Sequence, residues 1–123
     1  MIKVLFDTNI LIDYLRGYPQ AAAEIDRYTD KAISIITWIE VMTGTTQENE
    51  HLAHSFLNTF QTLPLTQREA ARSVVLRQTR RTKLPDALIW ASAQVNDRLL
   101  ISRNTKDFAA DEPGVRVPYL LSA

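Results

Sequence analysis

Three short apolar runs, each passing straight into polar residues, constrain this chain more than any other feature. Residues 2–6 (IKVLF) run into Asp7-Thr8-Asn9, residues 32–36 (AISII) into Thr37, and residues 99–101 (LLI) into Ser102-Arg103-Asn104. Short apolar runs of this kind read as strands buried on both faces, which is the pattern of a parallel sheet. The segments between them read as helices. Thr8 to Leu15 ends near Arg16-Gly17, with Pro19 beyond. Residues 20–29 favour a second helix by propensity. Residues 37–44 form a short helix closing at Gly44. In residues 48–60, Leu52, Phe56 and Phe60 recur every four positions, the mark of an amphipathic helix.

The second half continues the alternation. Residues 62–65 (TLPL) predict a short strand at an edge, because Pro64 has no N–H for a ladder. Thr66-Gln67-Arg68-Glu69 has the form of a capping box and opens a helix to about Thr82. Pro85 suits the first turn of a helix over 85–97. Residues 115–117 form a last strand. Alternating strands and helices predict a three-layer α/β/α sandwich with a mainly parallel central sheet. No linker, repeat or low-complexity tract divides the chain, so residues 1–123 are expected to form one domain.

Composition narrows the functional classes. Lys plus Arg equals Asp plus Glu at 14 each, which argues against whole-surface attraction to nucleic acid but not against a local patch. The absence of cysteine removes disulfides and thiolate metal sites and fits a reducing cytoplasm. No apolar run is long enough to span a membrane, and the N-terminus lacks the form of a signal peptide.

The acids then carry the chemistry. Asp7 follows the first strand. Glu40 is expected in the first turn of the helix after the second strand. Asp86 is expected in the first turn of the helix at Pro85. Asn104 and Asp107 follow the strand at 99–101. Ligands of open α/β sheets bind at the carboxyl ends of the strands, so these residues are expected to converge. Each acid also has a plain structural reading. Asp7 suits a helix cap, Thr37 and Glu40 suit a capping box, and Asp86 suits a helix dipole. Together, crowded carboxylates resist ionisation unless a cation neutralises them. Hard oxygen donors from Asp, Glu and Asn point to Mg²⁺ or Mn²⁺, ions that serve phosphoryl displacement.

Four stretches, LFDTNILI, SIITWIEVMTG, LPDALIWASA and LISRNTKDF, in this order, resemble the PIN-domain family, and most of all the VapC-type toxins of bacterial toxin–antitoxin pairs. The resemblance covers essentially the whole chain. It implies metal-dependent cleavage of RNA, a homodimer and a cognate antitoxin. It assigns the acidic site to Asp7, Glu40 and Asp86. The fourth acidic position of the family falls on Asn104, a departure, with Asp107 three residues on. Ser102 stands where the family usually has Thr. Thr8 and Asn9 belong to the first motif and help order the site.

Basic residues supply a candidate substrate surface. Arg68, Arg72, Arg77, Arg80, Arg81 and Lys83 crowd one segment beside a single acid, Glu69. Arg77, Arg80 and Arg81 share a helix face if the helix runs to Thr82, and phosphate contacts there make binding salt-sensitive. A solvated helix face is the competing reading. Arg103 and Lys106 flank Asn104 and are candidates for phosphate contact. His51 and His54 read as surface residues, and Trp38 and Trp90 as core or interface. The apolar surplus around Trp38, Ile39, Val41, Leu52, Phe56 and Phe60 points to a homodimer interface. Two other classes stay open. One is a PIN-like RNA-binding or interaction module weakened in catalysis, with Asn104 as its sign. The other is a phosphatase or phosphotransfer receiver, against which the lone Asp7 after the first strand argues.

Overall fold

The computed structural model describes residues 1–108 and 111–121. Strands β1 (Lys3–Phe6), β2 (Asp30–Ser34), β3 (Gln61–Leu63), β4 (Leu99–Ile101) and β5 (Val115–Arg116) form one sheet in the order β3-β2-β1-β4-β5, every neighbouring pair parallel. The expected class is met. Helices α1 (Thr8–Leu15), α2 (Pro19–Asp26), α3 (Ile35–Thr43) and α4 (Glu50–Leu57) cover one face, and α5 (Gln67–Arg80) and α6 (Leu84–Val95) cover the other.

Alternation along the strands sorts the core. Val4, Phe6, Ile33 and Ile101 point to the α1–α4 side, where they meet Ile10, Leu11, Val41 and Leu57. Leu5, Ala32 and Leu100 point to the other side and meet Leu76, Ile89, Trp90 and Phe108. Phe6 is fully buried between Tyr28 and Phe60, and truncating such a side chain costs about 3–5 kcal/mol.

Chain order sets the functional edge. The chain winds from β1 to β2 to β3 in one direction, then returns to place β4 and β5 on the other side of β1. The switch point therefore lies between β1 and β4, whose last paired residues are Phe6 and Ile101. The residues that follow, Asp7 and Ser102, emerge side by side at the carboxyl edge, where open α/β sheets bind ligands.

Several boundaries differ from the sequence expectation, among them helix 48–60, which runs only over Glu50–Leu57, and two of the differences have clear local reasons. The second strand ends at Ser34, because its hydroxyl accepts from the Ile36 N–H at 3.1 Å and starts α3 there. Ile35 and Ile36 are thus helical. The helix before Thr82 ends at Arg80, because Arg81 turns left-handed at φ 56°. Arg81 therefore does not continue the face shared by Arg77 and Arg80. β3 does lie at the sheet edge, and the Thr66–Glu69 capping box is present.

Candidate active site

Asp7 is the centre of the site and is almost wholly buried. It caps α1, with Oδ1 accepting from the Thr8 N–H at 2.8 Å. The capping reading of Asp7 therefore holds. The Ser102 hydroxyl donates to Asp7 Oδ2 at 2.7 Å, and Asn9 Nδ2 donates to the same oxygen at 3.3 Å. Burial pushes the Asp7 carboxyl up to about 6 despite these donors, with the charges of Glu40 and Asp107 adding to the rise.

Glu40 stands in mid-helix, not in the first turn of α3 as expected, because Ser34 starts that helix earlier. The Thr37–Glu40 capping box is therefore absent. Glu40 instead reaches across to α1, where Oε1 accepts from the Thr8 hydroxyl at 2.6 Å. Thr8 also hydrogen-bonds with the fully buried Thr37 hydroxyl at 2.9 Å. Thr8 thus ties the heads of α1 and α3 together. The sequence singles out Thr37 only as a cap, although it lies three positions before Glu40, on the same helix face.

Asp86 occupies the first turn of α6, as expected, and Asp107 comes to meet it. Burial raises the Asp86 carboxyl to about 7. A hydrogen bond with Asp107 adds to this, as do the charges of Asp7, Asp107 and Glu40. Crowding of this kind disfavours the charged form of Asp86, so a cation that neutralised the cluster would be favoured there.

Asn104 turns inward on its own loop. Its Nδ2 donates to Asp107 Oδ2 at 2.7 Å, and its Oδ1 accepts from the Asp107 N–H at 3.4 Å. Phe108, fully buried against the edge of Trp90, pins the turn to α6 and so carries Asp107 to Asp86. Ser102 Oγ also accepts from Asn9 Nδ2 at 3.4 Å and from the Asn104 N–H at 3.0 Å. With one proton given and two accepted, this buried hydroxyl holds Asp7 and has no bond left for a substrate.

The basic residues divide. Arg80 pairs with Glu112 at 2.7 Å and lies over the Trp90 ring. Arg77, Arg81, Lys83 and Lys106 are exposed. Arg103, expected at phosphate, grips Asp13 in a two-pronged pair instead. Asp13 is not among the residues that the sequence pattern singles out, although a lone acid inside an apolar helix is a signal in itself. His54 is exposed and packs at the edge of Trp38, and Trp90 is core. Beside Glu40 runs a groove of about 440 Å³ between α1, α3 and α4, lined by Ile12, Leu15, Arg16, Val41 and Leu52 among others.

Among the described residues, no three acidic or imidazole side chains stand close enough to hold one ion as they are placed. The donor set nevertheless fits a hard dication. It is all oxygen. Two of its acids, Asp7 and Asp86, resist ionisation, and Asp7, Glu40, Asp86 and Asp107 lie within electrostatic reach of one another.

The PIN domain family profile matches residues 4–111. The chain belongs to the PIN domain family. A toxin–antitoxin complex from Klebsiella pneumoniae contains a chain that is 46% identical and superposes with a TM-score of 0.92, over 97% of this chain and 100% of that one. FitAcB from Neisseria gonorrhoeae is 25% identical, with a TM-score of 0.78 over 96% and 99%. DNA-bound VapBC from Salmonella typhimurium, at 21% identity and a TM-score of 0.80 over 94% and 96%, shares the fold. No curated protein matches the chain.

Proposed function

We propose that this PIN-domain chain is a metal-dependent endoribonuclease and the toxin of a type II toxin–antitoxin pair. The observation that carries the reading is the convergence of Asp7, Glu40, Asp86 and Asp107 at the switch point of the sheet, with Asp7 and Asp86 raised to about 6 and about 7. The similarity to the Klebsiella complex supports the toxin role.

Asp7, Glu40 and Asp86 hold Mg²⁺ or Mn²⁺ in this reading, with Asp107 or Asn104 completing the set. The bound ion supplies charge stabilisation at a phosphate and an activated water. The chain's own residues prepare that site. Ser102 and Thr8 fix Asp7, Thr8 also fixes Glu40, and Asn104 fixes Asp107. Arg77, Arg81, Lys83 and Lys106 offer exposed cations to the RNA backbone.

The protein acts in the cytoplasm in this reading, as a homodimer bound by a cognate antitoxin. No helix among the described residues is long and apolar enough to cross a membrane. Tyr14, Leu15, Ile39 and Leu52 leave an apolar surface for assembly. An antitoxin segment lying beside Glu40 would block the site.

The test is cleavage of RNA by the purified chain with Mg²⁺, Mn²⁺ or EDTA. Cleavage that needs the ion, disappears in Asp7→Asn and is suppressed by saturating antitoxin supports the reading. RNA binding without cleavage under every ion condition favours an interaction module instead.

A further inference from the structure

Arg103 stands between two residues of the acidic site. Ser102 before it holds Asp7, and Asn104 after it holds Asp107. The Arg103 guanidinium reaches back to α1, where Nε meets Asp13 Oδ2 at 2.5 Å and Nη2 meets Oδ1 at 2.9 Å. Asp13 is fully buried, and the Tyr119 hydroxyl gives Oδ2 a further bond at 2.9 Å. α1 therefore carries Asp7 at its head and Asp13 in its body. The loop after β4 carries Arg103 and Asp107. This part-buried pair, together with the Ser102–Asp7 bond, joins the two segments that supply these acids.

A charge pair of this kind is a poor device for stability alone. Desolvating two ions cancels much of their attraction, and an apolar replacement often serves as well. A planar guanidinium fork, however, fixes both distance and orientation. A second clamp of the same chemistry, Arg116 on Glu24 with Tyr28, ties β5 to α2 without touching the acids.

We propose that Asp13, Arg103 and Tyr119 form a positioning clamp that sets the spacing between Asp7 and Asp107, and through it the affinity of the acidic site for its cation. The proposal deepens the nuclease reading and rests on it for its catalytic consequence. Arg103 acts through the acids and makes no contact with RNA. Tyr119 makes the site depend on the seating of the chain after β5.

The experiment uses the purified full chain and three variants. Arg103→Lys keeps the charge and loses the fork. Tyr119→Phe loses one hydroxyl and keeps the test open if Arg103→Lys does not fold. Arg116→Lys damages the other clamp and controls for stability. Mn²⁺ affinity, kcat and KM on RNA, and amide hydrogen exchange over residues 104–108 are measured. Arg103→Lys is expected to weaken Mn²⁺ binding about ten-fold or more and lower kcat comparably, with KM unchanged. Exchange at 104–108 is expected to quicken. Tyr119→Phe moves the same way by less, and Arg116→Lys changes none of these.

An Arg103→Lys protein with raised KM, unchanged kcat and unchanged Mn²⁺ affinity would make Arg103 a phosphate contact and overturn the proposal. Equal losses in Arg116→Lys would also overturn it. If the wild type neither binds Mn²⁺ nor cleaves RNA, the nuclease reading falls, and exchange alone judges the clamp. Quickening at 104–108 in Arg103→Lys but not in Arg116→Lys then upholds it, and unchanged exchange overturns it.

Discussion

The Ser102 hydroxyl meets Asp7 Oδ2 at 2.7 Å, one residue beyond the last paired positions of the two central strands. This bond opposes the rise that burial imposes on Asp7. Ser102→Ala is therefore expected to push the Asp7 carboxyl higher still and to lower cleavage about 10–100-fold, the usual cost of losing a partner behind a ligand. The acid limb of the pH–rate profile should move to higher pH. Ser102→Thr keeps the hydroxyl and should retain most activity. A Ser102→Ala profile that coincides with wild type removes the role given to this bond.

Neutralising one acid should separate activity from stability. Asp7→Asn, Glu40→Gln and Asp86→Asn are each expected to abolish ion-dependent cleavage while leaving the fold intact. Without metal, each removes a like charge from a crowded cluster, so melting temperatures should hold or rise. Purified Asp7→Asn with full activity would end the assignment. Unfolding of all three, with no effect of metal on wild type, would point to structural caps instead.

The raised acids give a signed pH dependence. The folded values of Asp7 and Asp86, about 6 and about 7, lie above the ordinary 3.8. Between those values the folded chain binds more protons than the unfolded one. Their contribution to stability is thus fully present at pH below about 4 and is lost as pH rises through 6 to 7. In EDTA, the melting temperature should carry a falling component from pH 5 to 8. Millimolar Mg²⁺, which binds the ionised form, should reduce that fall. Identical melting curves with EDTA and Mg²⁺ across the range would contradict this account.

The site is legible in the sequence where chemistry and chain position coincide. The apolar run before Asp7, the Pro85 turn before Asp86 and the alternation of strands with helices all follow from local pattern. The same pattern puts Glu40 in the right helix but the wrong turn. AISII reads as an unbroken strand until Ser34 is seen to use its side chain on Ile36. The ends of such elements are decided by single caps, which compete with strand propensity. Arg103 reads as a phosphate contact because sequence shows charge and not partner. Its partner, Asp13, is 90 residues away and buried. The turn that returns Asp107 to Asp86 depends on Phe108 packing against Trp90, a tertiary contact with no local signature.

Substrate contact should follow the cations that have no acidic partner among the described residues. Arg80 is already committed to Glu112. Replacing Arg77 and Arg81 with Gln should weaken RNA binding and reduce the slope of affinity against salt by about one for each phosphate that the protein no longer neutralises. Arg80→Gln should change the slope less. If the double variant keeps the wild-type slope, the patch serves a protein interface, and antitoxin affinity should fall instead.

The last prediction concerns the number of ions. Asp7, Glu40 and Asp86 bring enough negative charge for one dication. A second ion, held about 4 Å away in a two-metal arrangement, needs further charge. Asn104 brings none, and its amide is engaged with Asp107. Asp107 does bring charge, but it lies beside Asp86, and that neighbour is one of the causes, after burial, that raise Asp86 to about 7. Keeping Asp86 ionised beside Asp107 is harder at lower pH, so the second position is expected to be weaker near neutral pH and stronger as pH rises. One firm site is therefore expected, with the second weak or dependent on substrate. Asn104→Asp should tighten the second site, whereas Asp107→Ala should hurt catalysis less than Asp7→Ala. Calorimetric titration with Mn²⁺ at pH 6 and pH 8, on wild type and both loop variants, measures this directly. Two equally tight ions in the wild type at pH 6, without RNA, would show the charge argument to be mistaken.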